Sequence, residues 1–144
     1  MKPEIAKKWV EALRSGQYEQ GYDLLRSRNA ITGKEQYCVL GVLCDLAVKD
    51  GVPIVADDDF GCGYEWNNGF GTHREVEVLP PPVVEWAGFP EGCLTPAVYD
   101  GERFYIRLSE LNDDNRLSFL DIADLIERDW ASTASDRLIE QSSN

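Results

Sequence analysis

The sequence predicts an α+β fold: one domain over residues 1–131, about four to five helices packed with a small antiparallel sheet or hairpin, and a polar tail over 132–144. Three observations lead to it. Apolar residues recur at helical spacing near both ends of the chain, an almost wholly apolar run lies between them, and alternating apolar residues flank an Asp-Gly pair. Neither an internal repeat nor a long linker divides the 144 residues.

Taken in order, Ile5, Trp9, Ala12 and Leu13 share one face, while Lys7, Lys8, Glu11 and Arg14 share the other. Gly16 follows as a stop, so Pro3 to Ser15 reads as an amphipathic helix. Tyr18, Tyr22 and Leu25 repeat that spacing and predict a second short helix from Tyr18 to Ser27. Asn29, Thr32 and Gly33 mark 28–34 as a loop. The run YCVLGVLCDLAVK, Tyr37 to Lys49, is apolar around most of a helix circumference and ends at Asp50 and Gly51, as a buried central helix would. Gly41 in its middle costs about 1 kcal/mol relative to Ala, and a close contact with a neighbouring element rationalises it.

From Val52 to Leu79 the chain is rich in Gly, Asp and Asn, which predicts a long structured loop with a short strand at Arg74 to Val78. Pro80, Pro81 and Pro82 introduce a short helix through VVEWA that stops at Gly88. Ala97 to Ile106, centred on Asp100 and Gly101, predicts a hairpin. Asn112, Asp113 and Asp114 predict a turn. The last helix has Ser118 as N-cap, Asp121 in a capping position and Leu117 placed to staple against Ile122, with Phe119, Ile122, Ala123, Ile126 and Trp130 on one face.

The formal charge is −12 and the aromatic content 10%, so the chain is apolar enough to build a core and too acidic for a general nucleic-acid binder. Residues 1–34 carry seven Lys/Arg against four acids, so the acidity lies downstream. With no apolar stretch long enough to span a bilayer and no apolar leader, a soluble cytoplasmic protein is expected, inside a host bacterial cell once the resemblance described below is considered. Cys38, Cys44, Cys62 and Cys93 are then reduced thiols, the first two core residues. A single histidine and no close cysteine pair give no zinc pattern, and neither Asp57 to Asp59 nor Asn112 to Asn115 has the glycine and glutamate of a calcium loop. No metal or cofactor is expected, and the acidic run Asp57 to Asp59 reads as a solvated loop.

No nucleophile and base stand in a recognisable pattern, and no two carboxylates are singled out by spacing. The stretch FGCGYEWNNGFGTH lacks the order and flanks of a phosphate loop, and reads as turn geometry over the core. A nucleotide pocket needs stacking faces and fixed cations, and the chain contains both. The candidates are Arg14, Lys34, Arg74 and Arg107 for phosphate, Tyr18, Tyr37 and Trp66 for base stacking, and His73 at the same segment edge as Arg74. Trp9 and Trp86, at helical positions, read as core anchors.

Four segments, W-x2-ALRSG-x-Y-x-Q (Trp9 to Gln20), YCVLGVLCDLA (Tyr37 to Ala47), LPPPVVEWAG (Leu79 to Gly88) and LSELND with SFLDIADLIE (Leu108 to Glu127), resemble a group of small, largely uncharacterised bacteriophage and prophage proteins. The likeness carries no catalytic residue with it. It implies a phage-encoded, non-enzymatic accessory protein that acts by binding and so counters host defence. The first expectation is sequestration of a small anionic nucleotide-derived immune signal in a homo-oligomer. The second is an acidic inhibitor of a host protein, presenting carboxylates from Asp57 onward to a basic surface, as a nucleic-acid mimic does. A small nucleotide-degrading enzyme ranks third. Under the first expectation, replacing Arg74 and Arg107 by Ala abolishes ligand uptake without unfolding the domain.

Overall fold

In a computed structural model, which describes residues 1–57, 62–99 and 104–131, five α-helices and a terminal π-helical turn pack with three small sheets. The α+β expectation holds. The expected tail over 132–144 and the turn at Asp100 and Gly101 lie outside the described residues.

Helix α1 (Pro3–Arg14) buries Ile5, Ala6, Trp9, Val10 and Leu13. Proline sits in its first turn, where an N–H would have no helical acceptor. The fully buried Trp9 donates its indole N–H to the Val39 carbonyl at 3.1 Å, tying α1 to the first turn of α2 (Val39–Lys49). In α2 the residues from Val39 to Cys44 are all buried, as the apolar run implied. A Cβ on Gly41 would overlap the Leu25 carbonyl, so the close contact anticipated there is with backbone.

The helix expected over Tyr18 to Ser27 does not form. That segment is extended, giving β1 (Glu19–Gln20) and β2 (Arg26–Arg28) on either side of β3 (Glu35–Tyr37), parallel and antiparallel to it respectively. Two local features oppose a helix. Gly21 lies so close to β3 that a Cβ would meet Gln36 Cβ at 2.9 Å, and Asp23 has a left-handed φ of 69°. The helical spacing of Tyr18, Tyr22 and Leu25 was coincidental, and strand pairing overrode it.

The long loop expected between Val52 and Leu79 contains a three-stranded antiparallel sheet: β4 (Val55–Asp57), β5 (Gly63–Asn67) and β6 (Thr72–Glu75), in that order. The strand foreseen at Arg74 to Val78 therefore begins and ends earlier. Gly63 permits the tight approach of β5 to the end of β6, since a Cβ there would strike the Glu75 carbonyl. Helix α3 (Pro81–Ala87) starts behind the prolines and ends at Gly88 in a left-handed C-cap, φ 82°, as read from sequence. Strands β7 (Ala97–Tyr99) and β8 (Tyr105–Arg107) pair antiparallel.

Where a turn was expected around Asn112, the chain forms α4 (Leu108–Asp113), with Leu108, Leu111 and Asn112 buried. Helix α5 (Phe119–Ile126) has Ser118 as N-cap, its hydroxyl accepting from the Asp121 N–H at 3.2 Å, and it continues as the π-helical turn Glu127–Ala131. Both pack on α1.

The buried Asn112 side chain uses its full hydrogen-bonding capacity. Its Oδ1 accepts from Gln20 Nε2 at 2.9 Å and from the Val39 N–H at 3.3 Å, while its Nδ2 donates to the Gly21 carbonyl at 2.9 Å and to Asp113 Oδ1 at 2.7 Å.

Two substitutions test this packing. Gly41→Ala, a change that raises helix propensity by about 1 kcal/mol elsewhere, should here lower stability by about 2 kcal/mol or more through overpacking. The readout is the urea midpoint; a midpoint at or above that of the wild type would mean that Leu25 does not press on α2. Asn112→Ala should cost about 2–4 kcal/mol by stranding its partners, and a loss under about 0.5 kcal/mol would contradict its role.

Candidate functional site

The aromatic and cationic candidates do not converge on one place. Tyr18 and Tyr37 meet edge to face, ring centroids 5.2 Å apart. The Tyr18 hydroxyl donates to Asp45 and accepts from Lys49 Nζ at 3.0 Å, while Lys49 pairs with Asp45 at 3.2 Å. The Tyr37 hydroxyl donates to Glu35 Oε2 at 2.9 Å, and Glu35 also pairs with Arg26 at 2.6 Å. Arg26, only 5% exposed in its side chain, further donates to the carbonyls of Asp57 and Gly63 and lies over the Tyr64 ring. It thereby joins the β2–β3 pair to the β4–β5 pair, a role its sequence position among polar residues gave no sign of.

The tyrosines and the lysine of this network hold their protons firmly. Burial raises the pKa of both tyrosines, and the Tyr18 hydroxyl and Asp45 raise that of Lys49. Each shift moves the group away from neutral titration, the reverse of what a general base needs. Cys38 is pushed up to about 12 and Cys44 well above its ordinary value, both by burial, so neither is a ready thiolate.

Trp66 on β5 and His73 on β6 are direct cross-strand partners and stack, centroids 5.6 Å apart and planes 28° from parallel. Arg74 follows His73 but, by strand alternation, serves the other face, where it pairs with Asp57 at 2.6 Å. The Asp57 side chain is 2% exposed, so the reading of that residue as part of a solvated loop is corrected: its carboxylate is buried against an arginine. Asp58 and Asp59 lie outside the described residues.

Arg14 forks onto Asp124 at 2.7 Å and Glu127 at 2.9 Å, and Arg107 pairs with Glu110 at 3.1 Å. Lys34 is exposed in the turn before β3. From Gly63 onward the glycine-rich stretch forms the β5–β6 hairpin, and the turn's own asparagines take up its amides: Asn67 Oδ1 accepts from Gly69, and Asn68 Oδ1 from Phe70 and Gly71. Those N–H groups are already engaged in the loop where a phosphate would need them. Among the described residues no group of His, Cys, Asp and Glu could hold a metal ion, and no helix is long and apolar enough to cross a membrane.

Concavity lies elsewhere. A groove of about 720 Å³ runs between α3 and the segment after it, lined by Pro81, Val84, Phe89 and Leu94 with Glu85 and Glu91. A smaller one of about 380 Å³ lies between the β7–β8 hairpin and the π-helical turn, lined by Tyr99, Tyr105, Arg128 and Trp130 among others. Neither is lined by any of the candidate site residues read from sequence. The larger groove had a partial signal in LPPPVVEWAGFP, where apolar residues on both sides of a helix stop suggest a wall and a floor.

Fold and surface together define a small α+β domain whose cations are largely matched by its own carboxylates. The family model for a domain of unknown function, DUF8296, matches residues 1–130, and the chain belongs to that family. No curated protein and no solved structure matches it.

Glu35 is held below its ordinary value of 4.5, chiefly by the Tyr37 hydroxyl, with Arg26 adding to this against the effect of burial. A depressed carboxylate stabilises the fold above its unfolded pKa and loses that contribution as pH falls through the folded one. Stability should therefore drop as pH falls below about 4.5, and Glu35→Gln should remove that part of the drop while lowering stability at pH 7. Parallel acid-unfolding curves for wild type and variant would contradict the coupling.

Proposed function

We propose that this protein acts by recognition, as an acidic binding protein that engages a basic surface on a protein partner. The observation that carries the reading is the state of its cations. Arg14, Arg74 and Arg107, three of the four groups a phosphate ligand was expected to use, each already face a carboxylate. At least eight of the fourteen Lys/Arg do so within 4.0 Å, while the whole chain carries twelve more Asp and Glu than Lys and Arg.

Magnitudes separate the alternatives. Exposed pairs such as Arg107 with Glu110 are worth about 0–1 kcal/mol and exchange readily for a phosphate. Taking Arg74 from Asp57 is different, because the Asp57 carboxylate is 2% exposed and gives up a charge partner where water cannot readily replace it. An anionic ligand meets that cost and the surrounding negative field, whereas a cationic partner meets neither. For the same reason Arg74→Ala is expected to destabilise the domain, not merely to empty a site. In the setting suggested by the likeness to phage and prophage proteins, the partner is a host defence or nucleic-acid-binding protein.

A second reading, sequestration of a nucleotide-derived signal, draws support from the Trp66–His73 stack, which presents a ring face at the β5–β6 edge. One experiment addresses both. The immobilised protein is exposed to host lysate in about 0.05 M and about 0.5 M salt, conditions that differ severalfold in screening length, and any captured protein is purified and its affinity measured. A basic partner whose affinity falls steeply with salt supports acidic recognition. Capture of nothing at low salt, together with depletion and intact recovery of a cyclic oligonucleotide from a defined panel, supports the second reading and overturns the first.

A further inference from the structure

The α3 groove has the features of a preformed seat. Val84 and Phe89 at its base are buried, whereas Pro81, Glu85 and Glu91 are exposed. Phe89 is braced edge-on against Trp130, centroids 5.4 Å apart, and Trp130 in turn stacks on the fully buried Trp9. The far wall is fixed by backbone: Phe89 N–H donates to the Val84 carbonyl at 3.1 Å, Cys93 N–H to Pro90 at 3.0 Å, and Leu79 N–H to the Leu94 carbonyl at 3.0 Å. Gly92, with φ 82°, makes the turn between those walls.

The volume, about 720 Å³, lies within the range of small-ligand sites, roughly 300–1,000 Å³. Its lining is apolar apart from the two glutamates and holds no cation. An anion is therefore disfavoured there on charge alone. An apolar group with positive charges on either side satisfies both the base and the rim, and a protein segment supplies that combination.

We propose that this groove seats a short basic segment of the protein partner, a bulky apolar side chain resting on Val84 and Phe89 and flanking Lys or Arg side chains facing Glu85 and Glu91. The assignment rests on the acidic-recognition reading and localises it. An apolar anchor in a desolvated pocket supplies affinity, and the carboxylates at the rim supply orientation and on-rate.

The test uses the full chain and a defined probe, a fluorescent peptide with a central Trp-Leu pair flanked by arginines. A second peptide has Ala-Ala in place of Trp-Leu. Glu85→Lys/Glu91→Lys is compared with Glu11→Lys/Glu77→Lys, which changes net charge equally at exposed positions outside the groove. Circular dichroism establishes that both variants fold.

The proposal expects the groove reversal to weaken peptide binding about tenfold or more beyond the control reversal, and the Ala-Ala peptide to lose at least as much. Amide shifts on titration should cluster at Val84, Phe89 and Leu94. Equal weakening by the two reversals, or shifts clustered elsewhere, overturns the seat while leaving salt-sensitive recognition standing. Tryptamine binding as tightly as the peptide overturns a peptide segment in favour of a small apolar amine. Absence of any salt-sensitive binding by the wild type overturns the acidic-recognition reading and the seat with it.

Discussion

The Asn112 amide holds together segments that no continuous backbone ladder joins. It comes from α4, it accepts the Val39 N–H at the start of α2, and it fixes the β1 segment through Gln20 and the Gly21 carbonyl. Cys38, the N-cap of α2, makes no side-chain cap bond, so the amide from the far end of the chain satisfies one of the orphan donors there. With that helix start anchored, Trp9 can bond the Val39 carbonyl and Leu25 can close on Gly41. A buried amide with all its valences filled favours one arrangement of these segments, because any shift leaves a polar group unpaired in a dry interior.

Helices were legible where one amphipathic face met the core. The faces of α1 and α5, the apolar circumference of α2 and the proline start and glycine stop of α3 each express a local rule whose tertiary partner agrees with it. Illegible elements were those whose stability comes from distant partners. The strands β1 and β2 have only two and three residues, too few to show alternation, and they exist because β3 lies between them. Asn112 looked like a turn residue, since Asn-Asp runs usually serve as turns, and only its burial shows otherwise.

The same asymmetry applies to the candidate site. Sequence shows which cations exist, but it does not show that Arg14 meets Asp124 and Glu127 more than a hundred positions away or that Arg74 meets a buried Asp57. Nor does it show a groove, which is the shape left between α3 and the chain that follows it. Two pairs of the aromatic candidates do meet, Tyr18 with Tyr37 and Trp66 with His73, yet the first is enclosed in a hydrogen-bonded network of Asp45, Lys49 and Glu35. Pairing of the cations is thus what turns the functional reading from an anion pocket toward an acidic surface.

That pairing can be observed at the atoms concerned. In a nitrogen-15 spectrum of the arginine side chains, the Nη–H resonances of Arg14 and Arg74 and the Nε–H resonance of Arg107 are followed while inorganic pyrophosphate and then a cyclic dinucleotide are added at constant ionic strength. The Arg74 guanidinium, engaged by the buried Asp57 carboxylate, should shift little and without saturation, while Arg14 and Arg107, in exposed pairs, shift only weakly and independently of it. Saturable, concerted shifts of these three would show an anion displacing the carboxylates, and would contradict the acidic-recognition reading.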